Sequence, residues 1–200
     1  MEQRNLYISD LHLFHKNVTE AGVDFDKRGF KDLDEMHDYI LKSWNSGVNE
    51  ADHVYILGDF VWRISDNNSA EAMHLLRRMK GNLHLITGNH DRTHNSQFKK
   101  RFESIDGYKK IHDIVNGKDR QVILSHYYMP FYDGHYHGNI LLHGHSHVTA
   151  ECDLERKMTK WLNENGYPAE IYNVGCMHPY INYIPRTLEY IIQEYPKYVK

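Results

Sequence analysis

Short apolar runs that end abruptly in polar residues recur along the chain. The first three runs are Leu6-Tyr7-Ile8, Val54 to Leu57 and Leu83 to Ile86. They contain β-branched, aromatic and leucine residues and mostly lack alternation between apolar and polar positions. That pattern is typical of strands that are covered on both faces. The first half of the chain is therefore predicted to contain buried strands.

Apolar residues at helical spacing separate these strands. One helix is predicted behind a cap at Asp32 or Asp34, with Gly47 just past its end. A second is predicted behind a cap at Asn67-Asn68-Ser69 and closed by Gly81. Strands that alternate with helices predict an α/β fold with parallel, right-handed crossovers, which gathers the strand ends at one edge.

The second half of the chain starts with a hairpin signal. Two strands, Tyr108 to Val115 and Arg120 to Leu124, flank the segment from Asn116 to Asp119, and Asn-Gly favours a tight turn. The remaining runs predict two more strands, Ile140 to Leu142 and Ile171 to Gly175. They also predict two more helices, one from about Asp153 to Asn165 and a last one capped by Thr187.

Composition restricts the kind of protein and of metal site. The length of 200 residues suits one domain, so we expect residues 1–200 to form a single unit. Sixteen histidines against two cysteines mean that a transition-metal site here would use nitrogen and oxygen ligands. Cys152 and Cys176 lack paired spacing, so we expect reduced thiols and a cytoplasmic location.

The charge pattern indicates which partners to expect. With a formal charge of -3 and a pI near 6.6, the chain has no global positive field to gather long nucleic acid. No apolar run approaches the roughly 18 residues of a membrane span. The first strand is expected by about Asn5, which leaves no room for a signal peptide. A small substrate is therefore expected, and neither a membrane nor a secretory role.

Carboxylates, an amide and imidazoles follow the predicted strands in five short clusters. Asp10 and His12 are two apart, so on an extended segment they would point to the same side and grip one cation. The candidate ligands number seven, which exceeds the need of one ion and suits two ions that share a bridging carboxylate. They are Asp10, His12, Asp59, Asn89, His126, His145 and His147.

The clusters resemble the five signature blocks of the calcineurin-like metallophosphoesterase superfamily, in the same order. In this chain the blocks are Asp10-x-His12, Gly58-Asp59, Gly88-Asn89-His90-Asp91, Ser125-His126 and Gly144-His145-x-His147. The resemblance implies a four-layer α/β/β/α sandwich with a two-metal centre at the strand C-termini. It assigns Asp10, His12, Asp59 and His147 to one ion, and Asp59, Asn89, His126 and His145 to the other, so Asp59 would bridge.

The sequence differs from two branches of this superfamily. Protein serine/threonine phosphatases of the superfamily continue the second block with Asp-Arg-Gly, where this chain has Trp62-Arg63-Ile64, and their third block ends in Glu rather than Asp91. The chain also lacks the capping domain of the related repair nucleases. It therefore resembles the small bacterial or phage phosphoesterases of the superfamily.

We accordingly expect a phosphoesterase that acts on a small phosphodiester or phosphomonoester. Two transition-metal ions (Mn, Fe, Zn or Ni, with Mn favoured) would activate a bridging water for in-line attack on phosphorus. His90 would act as general acid or stabilise charge, and Asp91 would hold its ring. Arg28 and Arg63 are candidates for phosphate contact, with surface salt bridges as the alternative.

Three other functions stay open at this point: a nuclease, a non-catalytic scaffold of the same fold, and a metal-binding sensor. Two loops bear on the substrate. The segment from Leu13 to Lys31 is predicted to form one wall of the pocket. The aromatic loop from Tyr127 to Tyr136 lies between two ligand clusters, is predicted to border the metals, and could stack one base.

Overall fold

The computed structural model describes residues 3–64 and 69–198, which form two four-stranded sheets and their flanking helices. The strands are β1 (Asn5–Ile8), β2 (His53–Ile56), β3 (Asn82–Ile86), β4 (Phe102–Asp106), β5 (Lys109–Val115), β6 (Lys118–Leu124), β7 (Ile140–His143) and β8 (Glu170–Asn173). The α-helices are α1 (Leu33–Gly47), α2 (Ser69–Arg77), α3 (Ser96–Lys99), α4 (Ala150–Glu164) and α5 (Leu188–Tyr198).

The first sheet is wholly parallel in the order β1-β2-β3-β4. Leu6 pairs with Val54, and Val54 pairs with Leu83, so the three predicted buried strands lie side by side. The predicted parallel crossovers are therefore confirmed. The fourth strand was not predicted, because its sequence has only two apolar residues, Phe102 and Ile105.

The second sheet joins a hairpin to two parallel strands. β5 and β6 pair antiparallel, and β7 and β8 continue the sheet in parallel with β6. Asn116 and Gly117 both have positive φ, +50° and +72°, which is the backbone of a two-residue turn. The predicted hairpin is confirmed, but Lys118 and Asp119 already pair within the ladder, so the turn is shorter than expected.

Alternate residues of the second sheet face two different apolar clusters. Val122 and Leu124 join the main core with the first sheet and with α1 and α2. Ile123 and Leu141 face the other way and pack with Leu162 of α4. Because a strand alternates its side chains, the second sheet is covered on both faces. These contacts give the expected α/β/β/α layering.

Most helix predictions hold, with shifted ends. Asp32 caps α1 through its side chain, but Gly47 is the last helical residue rather than the one beyond it. Helix α4 starts at Ala150, earlier than predicted, and α5 follows Thr187 as expected. The predicted cap at Asn67-Asn68-Ser69 lies partly outside the described residues, and α2 is described from Ser69. Over the ranges 3–64 and 69–198, none of the helices is both long and apolar enough to cross a membrane.

The two sheets meet beyond the end of β1. Ser9 donates a backbone hydrogen bond to Val174 and accepts one from Cys176, each 2.9 Å long. Parallel strands of both sheets therefore end at a shared edge, where the polar clusters follow.

Candidate metal centre

The predicted ligand residues all lie at this shared edge, in the loops after β1, β2, β3, β6 and β7. One group contains Asp10, His12 and His147, whose ligand atoms lie within 4.8 Å of one another. Nε2 of His12 is 3.1 Å from Nε2 of His147, which in turn is 3.6 Å from Oδ1 of Asp10. All three side chains are buried, so the group is protected from solvent.

A second group contains Asp59, His126 and His145, again within 4.8 Å. Oδ1 of Asn89 lies 3.1 Å from Nε2 of His126 and adds a neutral oxygen to this group. Oδ2 of Asp59 lies 3.7 Å from Nε2 of His126 and 3.5 Å from Nε2 of His12 in the first group. The Asp59 carboxylate therefore faces both groups.

Hydrogen bonds behind two of the imidazoles show that this donor set fits metal ions. Nδ1 of His147 is 2.8 Å from Oδ2 of Asp26, and Nδ1 of His126 is 2.8 Å from the carbonyl oxygen of Leu57. Both acceptors lack a proton to donate, so Nδ1 of each neutral imidazole carries the proton. Nε2 of each ring is then left with a lone pair. Those lone pairs point at further oxygen or nitrogen lone pairs, an arrangement that a cation stabilises.

Burial shifts the pKa values of the other groups toward their neutral forms. It lowers the pKa of His12 well below its ordinary value, and the neighbouring His147 lowers it further. Burial likewise lowers the pKa of His145. The pKa of Asp59 is raised, chiefly by burial, although the nearby His126 opposes that effect. A bound cation would favour the ionised carboxylate and the neutral imidazoles, which are the ligating forms.

The ligand loops adopt left-handed backbone. Positive φ values occur at five ligand residues: Asp10 (+58°), His12 (+48°), Asp59 (+50°), His145 (+72°) and His147 (+48°). Such conformations cost non-glycine residues about 1 kcal/mol or more each and concentrate at functional sites. The expectation that Asp10 and His12 lie on an extended segment is therefore wrong, and their convergence results from two sharp bends.

Two glycines allow close approach to the carboxylates. A Cβ at Gly88 would lie 2.3 Å from Oδ1 of Asp59, and a Cβ at Gly144 would lie 2.3 Å from Oδ2 of Asp10. No side chain fits at those distances, so glycine at both positions lets the neighbouring loops close over the ligands.

His90 lies at the solvent side of the second group. Its side chain is 30% exposed, and its Nε2 is 3.9 Å from Oδ2 of Asp59. Its backbone N–H donates to Oδ1 of Asp59 over 2.9 Å, which fixes the loop relative to the carboxylate. Burial lowers the pKa of His90, while the negative charge of Asp59 opposes that effect. His90 is thus a partly exposed imidazole beside the ligands.

Asp91 has a different role from the predicted one. Its carboxylate accepts backbone hydrogen bonds from Asp59 (2.8 Å), Phe60 (3.0 Å) and Gly88 (2.9 Å). The prediction that it holds the His90 ring is wrong, since among the described residues the hydrogen-bond partners of this carboxylate are these amides and not the imidazole. Burial raises the pKa of Asp91 to about 6, although the hydrogen bonds lower it. Asp91 therefore ties the loop after β2 to the loop after β3.

Arg28 is wholly buried beneath the first group, so both predicted uses of it, phosphate contact and a surface salt bridge, are wrong. Its guanidinium donates to the carbonyls of Leu11 and Asp10 and to Oδ2 of Asp26, over 2.7 to 2.8 Å. Oδ2 of Asp26 also accepts from His147. Burial alone would raise the pKa of Asp26, but the His147 and Arg28 contacts lower it overall. Asp26 was missed, and its only sequence signal is its place in the long loop after β1.

Arg63 lies at the rim, on the same side as His90. It is exposed, and its guanidinium carbon sits 4.7 Å from the centre of the Trp62 ring. The Trp62 ring is 4.3 Å from that of His90 and stacks on His15 with centres 3.6 Å apart. Arg63 is therefore separated from the ligands by an aromatic ring, within the neighbourhood of His90.

A cavity of about 230 Å³ opens above the two groups. His15 and Phe25 line it, so the prediction that the loop after β1 forms one wall is confirmed. The prediction for the aromatic loop holds only in part. Tyr127 packs 4.9 Å from His126 and 4.8 Å from His145, whereas Tyr132 is buried in the second apolar cluster.

The fold and this edge define a class of α/β proteins with polar ligands at the junction of two sheets, and sequence comparison names the family. The calcineurin-like phosphoesterase model matches residues 4–172. The chain belongs to this family. Members typically bind divalent metals, and the two groups described here are the candidate sites for them.

Three similar proteins come from distant sources. The uncharacterized protein MJ1445 of Methanocaldococcus jannaschii is 32% identical over 151 residues, covering 74% of this chain and 72% of that protein. The Gene 66 protein of Mycobacterium phage L5 is 30% identical over 170 residues, covering 70% and 76%. The crystal structure of AQ665 from Aquifex aeolicus, a protein of unknown function, shares the fold with a TM-score of 0.67 at 24% identity, over 98% of this chain and 99% of that one.

Proposed function

We propose that this protein is a two-metal phosphoesterase that hydrolyses a phosphodiester or phosphomonoester bond of a small substrate. One observation carries the proposal: the Asp59 carboxylate faces two groups of ligands, each complete enough to hold an ion. Asp10, His12, Asp59 and His147 would hold one ion, and Asp59, Asn89, His126 and His145 the other. Bound there, the metals would neutralise phosphate charge and supply an activated water for in-line attack on phosphorus.

His90 is the residue that we assign to the leaving group. It lies beside Asp59 yet is 30% exposed, so a substrate in the cavity can reach its ring. A phosphate anion there adds negative charge beside the imidazole and favours the protonated form. His90 then donates its proton to the departing oxygen. Arg63, on the same side of the rim, contacts a peripheral oxygen of the substrate.

The size and lining of the cavity favour a small substrate. Its volume is about 230 Å³, and its lining among the described residues includes Phe25 and Glu151 but no lysine or arginine. A long duplex needs several phosphate contacts from basic side chains, whereas the lining supplies none and the rim supplies the single guanidinium of Arg63. We therefore propose a small diester or phosphorylated metabolite as the substrate, with Mn²⁺ as the favoured metal.

Metal analysis combined with an assay tests the function. We expect two transition-metal ions per chain, and Mn²⁺-dependent hydrolysis of bis(p-nitrophenyl) phosphate that chelation removes and Mn²⁺ restores. A protein that binds two metals without turning over this ester or any member of a phosphorylated-metabolite panel would instead be a binding protein. Efficient digestion of plasmid DNA, with activity falling steeply as salt rises, would favour a nuclease.

A further inference from the structure

Helix α4 has two apolar faces, and only one of them packs against the protein. Cys152 and Leu162 are buried beneath the helix. Leu154, Met158 and Trp161 are respectively 62%, 41% and 52% exposed. Their spacing of four and three residues places them along one side of the helix. We refer to these three side chains as the α4 stripe.

The α4 stripe continues onto neighbouring loops. The Trp161 ring stacks on Tyr167 with centres 6.4 Å apart, and Tyr167 meets Phe131 edge-to-face at 6.1 Å. Tyr167 is 39% exposed and Phe131 60%. The α4 stripe with Tyr167 and Phe131 forms one connected surface, which we call the apolar patch. Scattered exposed apolar residues are ordinary, but a connected group of this kind marks an interaction surface.

We propose that the apolar patch binds a second copy of this chain, as a twofold dimer in which the two α4 helices run antiparallel. A twofold interface uses the same patch on both copies. Half-exposed side chains of this size each offer on the order of 100 Å², so the patch offers roughly 500 Å². Two such patches bury about 1,000 Å² in total, which reaches the lower limit for a specific interface.

Charges beside the α4 stripe make the patch self-complementary. Asp153 lies near the start of α4, whereas Lys157 and Lys160 lie further along the same flank. Asp153 and Lys160 are 66% and 77% exposed, and within α4 they pair with Arg156 at 3.3 Å and Glu164 at 3.9 Å. Exposed pairs of this kind contribute little to stability, so both side chains can exchange these partners for a neighbour. In an antiparallel pair Asp153 approaches the partner's Lys160, and the symmetry repeats that contact, while Lys157 lies near the twofold axis beside its own copy. A parallel pair would instead set like charges opposite one another at all three positions. The charge order therefore favours a second copy in one orientation.

This interface would lie next to the metal centre. Glu151, in the first turn of α4, lines the cavity above the ligands, and Leu154 is one turn further along the helix. The partner would therefore border the entrance to the cavity without contributing to the metal ligands.

Sedimentation velocity over a wide range of protein concentration tests the proposal without any activity measurement. We expect a dimer of the wild-type protein, and a monomer for Trp161→Glu and for Leu154→Glu. Ile114→Glu is the matched control, because Ile114 is 60% exposed on β5 and lies outside the patch; it should remain dimeric. Circular dichroism of the diluted variants should match that of the wild type, since these side chains point into solvent.

A charge exchange tests the orientation. Asp153→Lys and Lys160→Asp should each weaken the dimer about tenfold, because each puts like charges together at two symmetric contacts. The double variant restores opposite charges across the interface and should recover most of the lost affinity. A monomeric wild type at every concentration, or a dimer that survives Trp161→Glu, would overturn the proposal. Binding of the patch only to lipid vesicles or to another protein, without self-association, would do the same.

Discussion

The two ligand groups are supported in different ways. Behind the first group, His147 donates to Asp26, which is itself paired with the buried Arg28. Behind the second, His126 donates to the neutral carbonyl of Leu57. A carboxylate behind a ligating imidazole raises its basicity more than a neutral carbonyl does. The first group is also wholly buried, whereas His145 of the second is partly exposed. We therefore expect the first ion to be held more tightly and the second to exchange more readily.

Asp59→Asn should give the largest effect, because it removes the charge that the two groups share. A neutral amide offsets two dications far less well than a carboxylate. We expect metal content to fall at both sites, and activity toward bis(p-nitrophenyl) phosphate to fall by at least about 10²-fold. Elemental analysis and the ester assay measure the two effects together. Retention of two metals and full turnover would contradict a bridging role.

His90→Ala should separate chemistry from metal binding, since this side chain belongs to neither group. We expect unchanged metal content and a rate lower by about 10² to 10⁴-fold, the usual contribution of a positioned general acid. The loss should shrink for esters with good leaving groups, which need no proton. An equal defect for every leaving group, or loss of metal, would show that the proton-donor assignment is wrong.

Asp26→Asn should weaken one ion selectively. We expect the affinity for the first ion to fall about 10 to 100-fold, the usual effect of removing an outer carboxylate, with the second ion little changed. Chelator competition measures the two affinities, and Asp119→Asn, at an exposed carboxylate on β6, is the control. The thermal stability of the variant should be measured alongside the chelator competition, because Arg28 loses its carboxylate partner in this variant. An equal loss of affinity for both ions would show that the two ligand groups do not differ in how tightly they hold metal.

Glu155→Gln should give the smallest effect, on stability rather than activity. Burial raises the pKa of Glu155 to about 7, while the hydrogen bond from Ser146 opposes that effect. A raised carboxyl pKa adds stability that is fully present below the ordinary pKa near 4.5 and is lost as pH rises through about 7. In the metal-free wild-type protein, solvent screening limits this loss of unfolding free energy to about 1 kcal/mol. The metal-free variant should not show the loss, because glutamine does not titrate. Chemical denaturation at pH 4.5 and pH 8 checks it, and identical pH profiles would contradict it.

The buried strands and the positions of the ligand residues were predictable because both depend on local pattern. Apolar runs specify buried strands, and polar residues directly after parallel strands meet at one edge. The weaker elements were missed for the same reason: β4 and the four-residue α3 contain too few apolar residues to show a period.

The roles of individual polar residues were less predictable, because they depend on distant contacts. Arg28 is buried, and its guanidinium donates hydrogen bonds to the carbonyls of Asp10 and Leu11, which only the fold brings close to it. Asp91 is two residues from Asn89, yet its partners include amides in the loop after β2. A sequence shows that such a residue is charged, but only the fold decides whether it faces the cavity or the backbone.

The left-handed backbone at five ligand residues bears on protein design. Copying the seven side chains onto another scaffold would not reproduce this centre, because positive φ is uncommon for non-glycine residues and five of the seven ligand residues need it. The graft would also have to carry the bends themselves and the glycines at positions 88 and 144, which let the chain pass within contact of the carboxylates. The transferable unit is therefore a set of short loops together with the sheet edge that anchors them.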